Sequence, residues 1–165
     1  EQVWDAWLVW RKALVGARLA PFMAMAGGRE KIKPEGQYEY DAAQTLSGAQ
    51  FMHASSVRSS FYQALLKTFE TFDAIALPTA QVWPFDVNLR YPTEIVTAKG
   101  AVQMDTYHRW MEATIYATFA GLPCISVPVG FSASHTGLGM PMGMQLIGKP
   151  QGDADLLRLA ALFES

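Results

Sequence analysis

Two short apolar runs, each punctuated by glycine and proline, constrain this chain more than anything else in it. They are AGLPCISVPVGF, from Ala120 to Phe131, and GMQLIG, from Gly143 to Gly148. A polar, glycine-bearing loop (Ser132 to Pro141) separates them and a helical pattern follows, so the order reads strand, loop, strand, helix. Gly121 suits the left-handed position just past a preceding helix, and Pro123 forbids that helix to continue. Pro128 falls near the end of its strand, where a missing N–H is tolerated. Asp153 is placed to cap the last helix, whose Leu156, Leu159, Ala160 and Phe163 should face inward.

The rest of the chain supplies helices and one more strand. Trp4, Trp7, Leu8, Leu14, Val15, Leu19 and Phe22 recur at helical spacing, and Pro21 with Gly27-Gly28 should close that helix. The charged stretch from Arg29 to Gly36, with Pro34 inside it, reads as a surface connection. From about Tyr38 to Phe69 a long helical pattern carries Leu46, His53, Val57, Phe61, Ala64, Leu65 and Thr68 on one face, with Gly48 as its weakest point. Asp73 to Pro78 is a short apolar run stopped by proline, hence a buried strand. Residues 79–104 have no clean period, and a connection that long is usually functional or carries small elements of its own. Asp105 is then placed to cap a helix with Tyr107, Trp110, Met111, Thr114, Ile115 and Thr118 as its stripe.

Strands near 74–77, 124–129 and 143–147 separated by helices define an α/β class. Their near-continuous apolar character predicts a mixed sheet covered by helices on both faces. Residues 1–72 read as mainly helical and 73–165 as strands with covering helices. The strands are too few to close such a sheet, so the remainder should come from elsewhere. Composition agrees: 50% of the 165 residues are hydrophobic and only 17% charged, against about a quarter charged in an ordinary soluble domain. The chain opens on Glu1 inside a helical pattern, which also predicts that sequence precedes it.

A net charge of −2 without clustered Lys and Arg argues against a nucleic-acid surface. No apolar run approaches the roughly 18 residues that span a membrane. The single cysteine, Cys124, excludes an internal disulfide and suits a reducing compartment. A cytoplasmic protein is the resulting expectation.

GLPCISVPVGF, GMPMGMQLIG and DADLLRLAALFE, in that order and spacing, resemble the C-terminal pattern of the amidase-signature family. FDAIALPTAQVWPF and YHRWMEATIYATFAGLP resemble the strand and helix that precede it there. The resemblance runs from about Arg58 to the end, less distinctly from residue 1. It implies hydrolysis of carboxylic amides by a serine nucleophile, a second serine in a cis peptide and a neutral lysine, a variant of Ser-His-Asp logic. Backbone N–H groups of a loop reading roughly Gly-Gly-Ser-Ser-Gly-Gly would hold the oxyanion. No such loop occurs here, so the resemblance implies that a missing N-terminal amidase segment carries the reactive residues and that no cofactor is needed. Many relatives carry asparagine where this chain has Thr118, so no contact from that side chain is carried over.

The residues themselves offer no replacement catalyst. Ser55-Ser56 and Ser59-Ser60 are doublets, but they fall in a helical stripe whose N–H groups are already used. Lys12, Lys31, Lys33, Lys67, Lys99 and Lys149 all have polar or loop settings, whereas a neutral lysine needs desolvation or a cationic neighbour. His53, His108 and His135 have no metal-ligand spacing, so no metal site is expected. His53 reads as a partly buried helix residue and Cys124 as a small core residue. Met140, Met142 and Met144 read as strand and loop packing, with a substrate-facing wall as the competing reading.

Substrate shaping is what remains. A strand ending at Pro78-Thr79 delivers its loop to an edge of the sheet, where α/β ligands bind. Thr79 and Trp83 on that loop, with Tyr107 and Trp110 on the next helix, are the candidate pocket residues; Phe85 lies beside them. Aromatic walls favour a hydrophobic or aryl amide, and ordinary core packing competes for each of these side chains. The expected partners are therefore the missing segment and a small amide, with no nucleic acid and no membrane, and homo-oligomerisation left open. Two other functions compete. One is the amidase-like subunit of a tRNA-dependent amidotransferase, and the other is a non-catalytic binding module derived from the fold.

Overall fold

The computed structural model describes residues 2–132 and 139–165. The chain divides into two compact units, residues 1–64 and 65–165.

The first unit is helical. Helix α1 (Gln2–Met23) is followed by a 3-10 turn (Arg29–Lys31), α2 (Pro34–Ala43) and α3 (Gly48–Thr68), whose last turn belongs to the second unit. Pro21 does not stop α1. It removes one N–H only, and the turn beyond it closes through Ala24 N–H to the Ala20 carbonyl at 3.1 Å. Pro34 opens α2 rather than lying in a connection; at the first helical position its missing N–H costs nothing. The predicted long helix is broken over residues 44–47, immediately before Gly48. Ser47 and Gln50 form a reciprocal capping box there: Ser47 N–H donates to Gln50 Oε1 at 2.8 Å, and Gln50 N–H to Ser47 Oγ at 3.2 Å. Trp4 stacks on Trp7, and buried Glu39 accepts from Arg11 Nε at 2.9 Å.

The second unit holds the strands. β1 (Ala74–Pro78), β4 (Cys124–Phe131) and β5 (Pro141–Gly148) form a sheet in the order β1-β5-β4, and both pairings are antiparallel. Part of the aperiodic stretch after β1 is a second, two-stranded sheet, β2 (Glu94–Thr97) against β3 (Gly100–Gln103). β4 runs two residues beyond its expected end because a register shift between Pro128 and Gly130 carries it past the proline. The predicted loop beyond β4 falls largely on residues 133–138, outside the described residues.

Helix α5 (Asp153–Glu164) packs Leu156 and Ala160 on Val127 and Leu146, with Ile125, Met144 and Leu159 around them. Gly152, not Asp153, is its N-cap. Phe163 is half exposed, not inward, since Leu156 and Ala160 alone centre the contact. The opposite sheet face carries Gln145 and Ile147, and a second helical stretch lies on it. That stretch is not one α-helix from Asp105. It is a 3-10 segment (Arg109–Thr114) that passes into α4 (Ile115–Ala120), and Met111 inside it has φ −112° and ψ 21°. Three residues per turn followed by 3.6 shifts the phase of the buried face. Ala113, Ile115, Ala117 and Phe119 are buried, and Thr118 is exposed. The N-cap is His108 rather than Asp105, whose carboxylate pairs with Arg109. Gly121 ends α4 at φ 73°, ψ 39°, as expected, its N–H donating to the Ala117 carbonyl at 2.8 Å. No helix among the described residues is long and apolar enough to cross a membrane.

Candidate substrate cleft

The end of β1, the loop after it, the 3-10 segment and the start of β5 enclose an open cleft of about 400 Å3. That is within the ~300–1,000 Å3 of small-molecule sites. Thr79, Trp83, Phe85 and Trp110 line it together with Met142 and Gly143. Strand geometry explains the convergence. Thr79 N–H donates to the Gly143 carbonyl at 2.9 Å, so the loop leaves the sheet beside the first residues of β5. Trp110 meets the loop from the other side, edge-on to Phe85 with ring centroids 5.2 Å apart.

Three of the four expected pocket residues, Thr79, Trp83 and Trp110, thus share one cleft. Tyr107 does not line it. Its ring packs instead against His108 and Tyr91, at centroid distances of 4.2 and 6.1 Å. Its carbonyl accepts from Trp110 Nε1 at 3.1 Å, which holds the indole from behind.

Three contributors had no signal strong enough to select them in advance. Ser126 Oγ lies 2.9 Å from Thr79 Oγ1, across Gly143. A Cβ on Gly143 would stand 2.6 Å from one hydroxyl and 2.9 Å from the other. Gln145 is buried, and its Nε2 donates to the carbonyls of Pro78 (2.9 Å) and Ala113 (2.8 Å). Gln81 accepts from Ala113 N–H through Oε1 at 3.2 Å. A glutamine inside the apolar run GMQLIG was the visible clue, since a buried amide has to find partners.

Among the described residues no charged side chain lines the cleft. Nearby, burial raises the Tyr116 phenol above its usual range, with Glu112, which accepts from Tyr116 Oη at 3.2 Å, adding to the shift. Cys124 is exposed on β4 rather than in the core, its Sγ 3.5 Å from Gln145 Oε1; desolvation still raises its thiol pKa. The serines of α3 bond back to their own helix. Ser55 Oγ donates to the Phe51 carbonyl, Ser56 Oγ to that of Met52 and Ser59 Oγ to that of Ser55. His53 is exposed, not partly buried. His108 is buried, its Nδ1 2.7 Å from Thr106 Oγ1, and His135 lies outside the described residues. The methionines divide: Met144 packs under α5, and Met142 faces the cleft. No group of three or more His, Cys, Asp or Glu converges among the described residues.

Known proteins match this scaffold. The family described as Amidase matches residues 25–157. The chain is 33% identical over 118 residues to a glutamyl-tRNA(Gln) amidotransferase subunit of Dehalococcoides mccartyi, covering 70% of this chain and 21% of that protein. It is 31% identical over 121 residues to a fatty acid amide hydrolase of Medicago truncatula, covering 73% of this chain and 18% of that one. Among solved structures, a bacterial aryl acylamidase of the amidase-signature family superposes with a TM-score of 0.77 at 25% identity, over 99% of this chain and 33% of that one. The chain belongs to the amidase-signature family. It spans about a fifth of the length of these curated relatives.

Proposed function

We propose that this chain is the C-terminal, pocket-forming part of a single amidase domain that hydrolyses carboxylic amides to the acid and ammonia or an amine. The N-terminal portion of the same domain would supply the two serines and the lysine. Trp83, Phe85 and Trp110 form the wall against which the acyl group lies, and Thr79 offers a hydroxyl at its rim. Tyr107 acts from behind, through the indole it holds. The observation that carries this reading is a cleft of aromatic side chains with no charged group among the described residues of its lining.

The same observation ranks the alternative. The amidotransferase relatives make ammonia supply to a partner the natural competing role. Glutamine, however, brings a carboxylate and an ammonium group, and burying either without a charged or hydrogen-bonding partner is costly. An apolar acyl group meets no such cost here. Apolar side chains that remain exposed, including Phe131 on β4 and Leu157 and Leu162 on α5, are the surface a further part of the domain would cover.

The test is ammonia release by the full-length enzyme from benzamide, acetamide and glutamine. Benzamide should have the highest kcat/KM. A preference for glutamine, or turnover by residues 1–165 alone that disappears in Ser55→Ala or Ser56→Ala, would sink the proposal.

A further inference from the structure

Gln145 and Gln81 grip the backbone of one residue, Ala113, through the two peptide units that flank it. Ala113 gives its carbonyl to Gln145 Nε2 at 2.8 Å and its N–H to Gln81 Oε1 at 3.2 Å. Each glutamine also holds a second point of the cleft. Gln145 Nε2 bonds the carbonyl of Pro78, immediately before Thr79, and Gln81 N–H donates to the Trp110 carbonyl at 3.4 Å. The grip sits where the helix is least able to define itself. Met111, between Trp110 and Ala113, leaves helical dihedrals, so the backbone there has lost part of the ladder that would fix it. The two amides are oriented by their partners. Gln145 faces two carbonyls and must present its NH2 group, whereas Gln81 faces an N–H and must present its oxygen.

We infer that Gln145 and Gln81 are positioning residues that set the spacing between the Thr79–Phe85 loop and Trp110, and so determine selectivity for an aromatic acyl group. Neither needs to touch substrate. Gln145 is buried and acts from the sheet, and Gln81 is exposed and acts from the loop itself. Releasing either lets Trp110 move relative to Phe85, which loosens the fit of a flat ring and leaves a small acetyl group almost indifferent.

This inference rests on the reading of the cleft as an acyl pocket, and its test keeps the two apart. In the full-length enzyme, the ratio of kcat/KM for benzamide to that for acetamide is measured; the fraction of correctly folded enzyme cancels from it. Gln81→Met and Gln145→Met should each lower the ratio about tenfold, the scale of one or two lost hydrogen bonds, with the loss appearing in KM for benzamide. Replacement by glutamate separates the two positions. Gln81→Glu keeps the accepting oxygen and should retain the wild-type ratio. Gln145→Glu sets a carboxylate against two carbonyls and should lose it at least as fully as Gln145→Met. A wild-type enzyme that hydrolyses neither amide refutes the pocket reading, and this one with it. Hydrolysis with ratios unchanged in both methionine variants, or with Gln81→Glu as impaired as Gln81→Met, refutes the positioning role alone.

Discussion

Gly143→Ala tests the geometry of the cleft floor without removing any functional group. Gly143 does not have positive φ, so alanine suits the backbone and the whole effect comes from the new methyl. That methyl would lie 2.6 Å from Thr79 Oγ1, 2.9 Å from Ser126 Oγ and 3.3 Å from Thr79 Cβ. The cheapest relief is rotation of Thr79 about χ1. Threonine has two heavy atoms on Cβ, so only one staggered well points a hydrogen at the methyl. Reaching it breaks the bond to Ser126. The lost hydrogen bond costs about 0.5–1.5 kcal/mol net, and a strained rotamer a comparable amount. Alanine returns about 0.4–1 kcal/mol by restricting the unfolded chain. The expected outcome is a destabilisation of roughly 1 kcal/mol, read as a lower urea midpoint at unchanged slope, with a raised KM for benzamide. The decisive comparison is the Thr79→Ala background, where the nearer of the two obstructing hydroxyls is gone and Ser126, freed of its partner, can turn aside. Gly143→Ala should cost about 1 kcal/mol less there, the coupling expected of touching residues. An equal cost in both backgrounds would refute the argument.

Gly16→Ala should destabilise, although it adds helix propensity, because its Cβ would collide with the Ala43 Cβ of α2. Overpacking at a rigid atom costs about 1–3 kcal/mol, and adding Ala43→Gly should recover most of it; urea unfolding of both variants decides, and a stabilised single variant would contradict the packing. Leu146→Ala removes a core side chain between the sheet and α5 and should cost about 2–5 kcal/mol; a loss below about 1 kcal/mol would mean that this cluster does not hold α5 in place. The raised pKa of Cys124 means the folded state holds the thiol proton more tightly than the unfolded chain. Any stability this supplies is present below the unfolded pKa and lost as pH rises through the folded one. Alkylation by iodoacetamide should therefore have a higher pH midpoint in the native protein than in urea, and an equal or lower native midpoint would contradict the desolvation.

Elements whose signals are local were readable in advance. β1, β4, β5 and α5 lie where apolar runs and glycine-proline punctuation place them, and Gly121 takes the left-handed turn that Pro123 makes necessary. The capping box at Ser47 and Gln50 was equally local, and it explains why the long pattern splits there. The phase of the stretch from Asp105 to Ala120 was not readable. A 3-10 segment and an α-helix of the same composition bury different side chains, and partners distant in sequence choose between them.

The amino-acid sequence by itself determined lineage, α/β class and the neighbourhood of the cleft, because these depend on the order of apolar runs and turn residues along the chain. Tertiary structure alone decided which aromatics share the cleft, why residue 143 has no side chain and what Gln145 and Gln81 hold. Each of those depends on atoms brought within about 3 Å from β1, β5 and the 3-10 segment, a distance at which hydrogen bonds and steric contact operate and to which spacing along a sequence is blind.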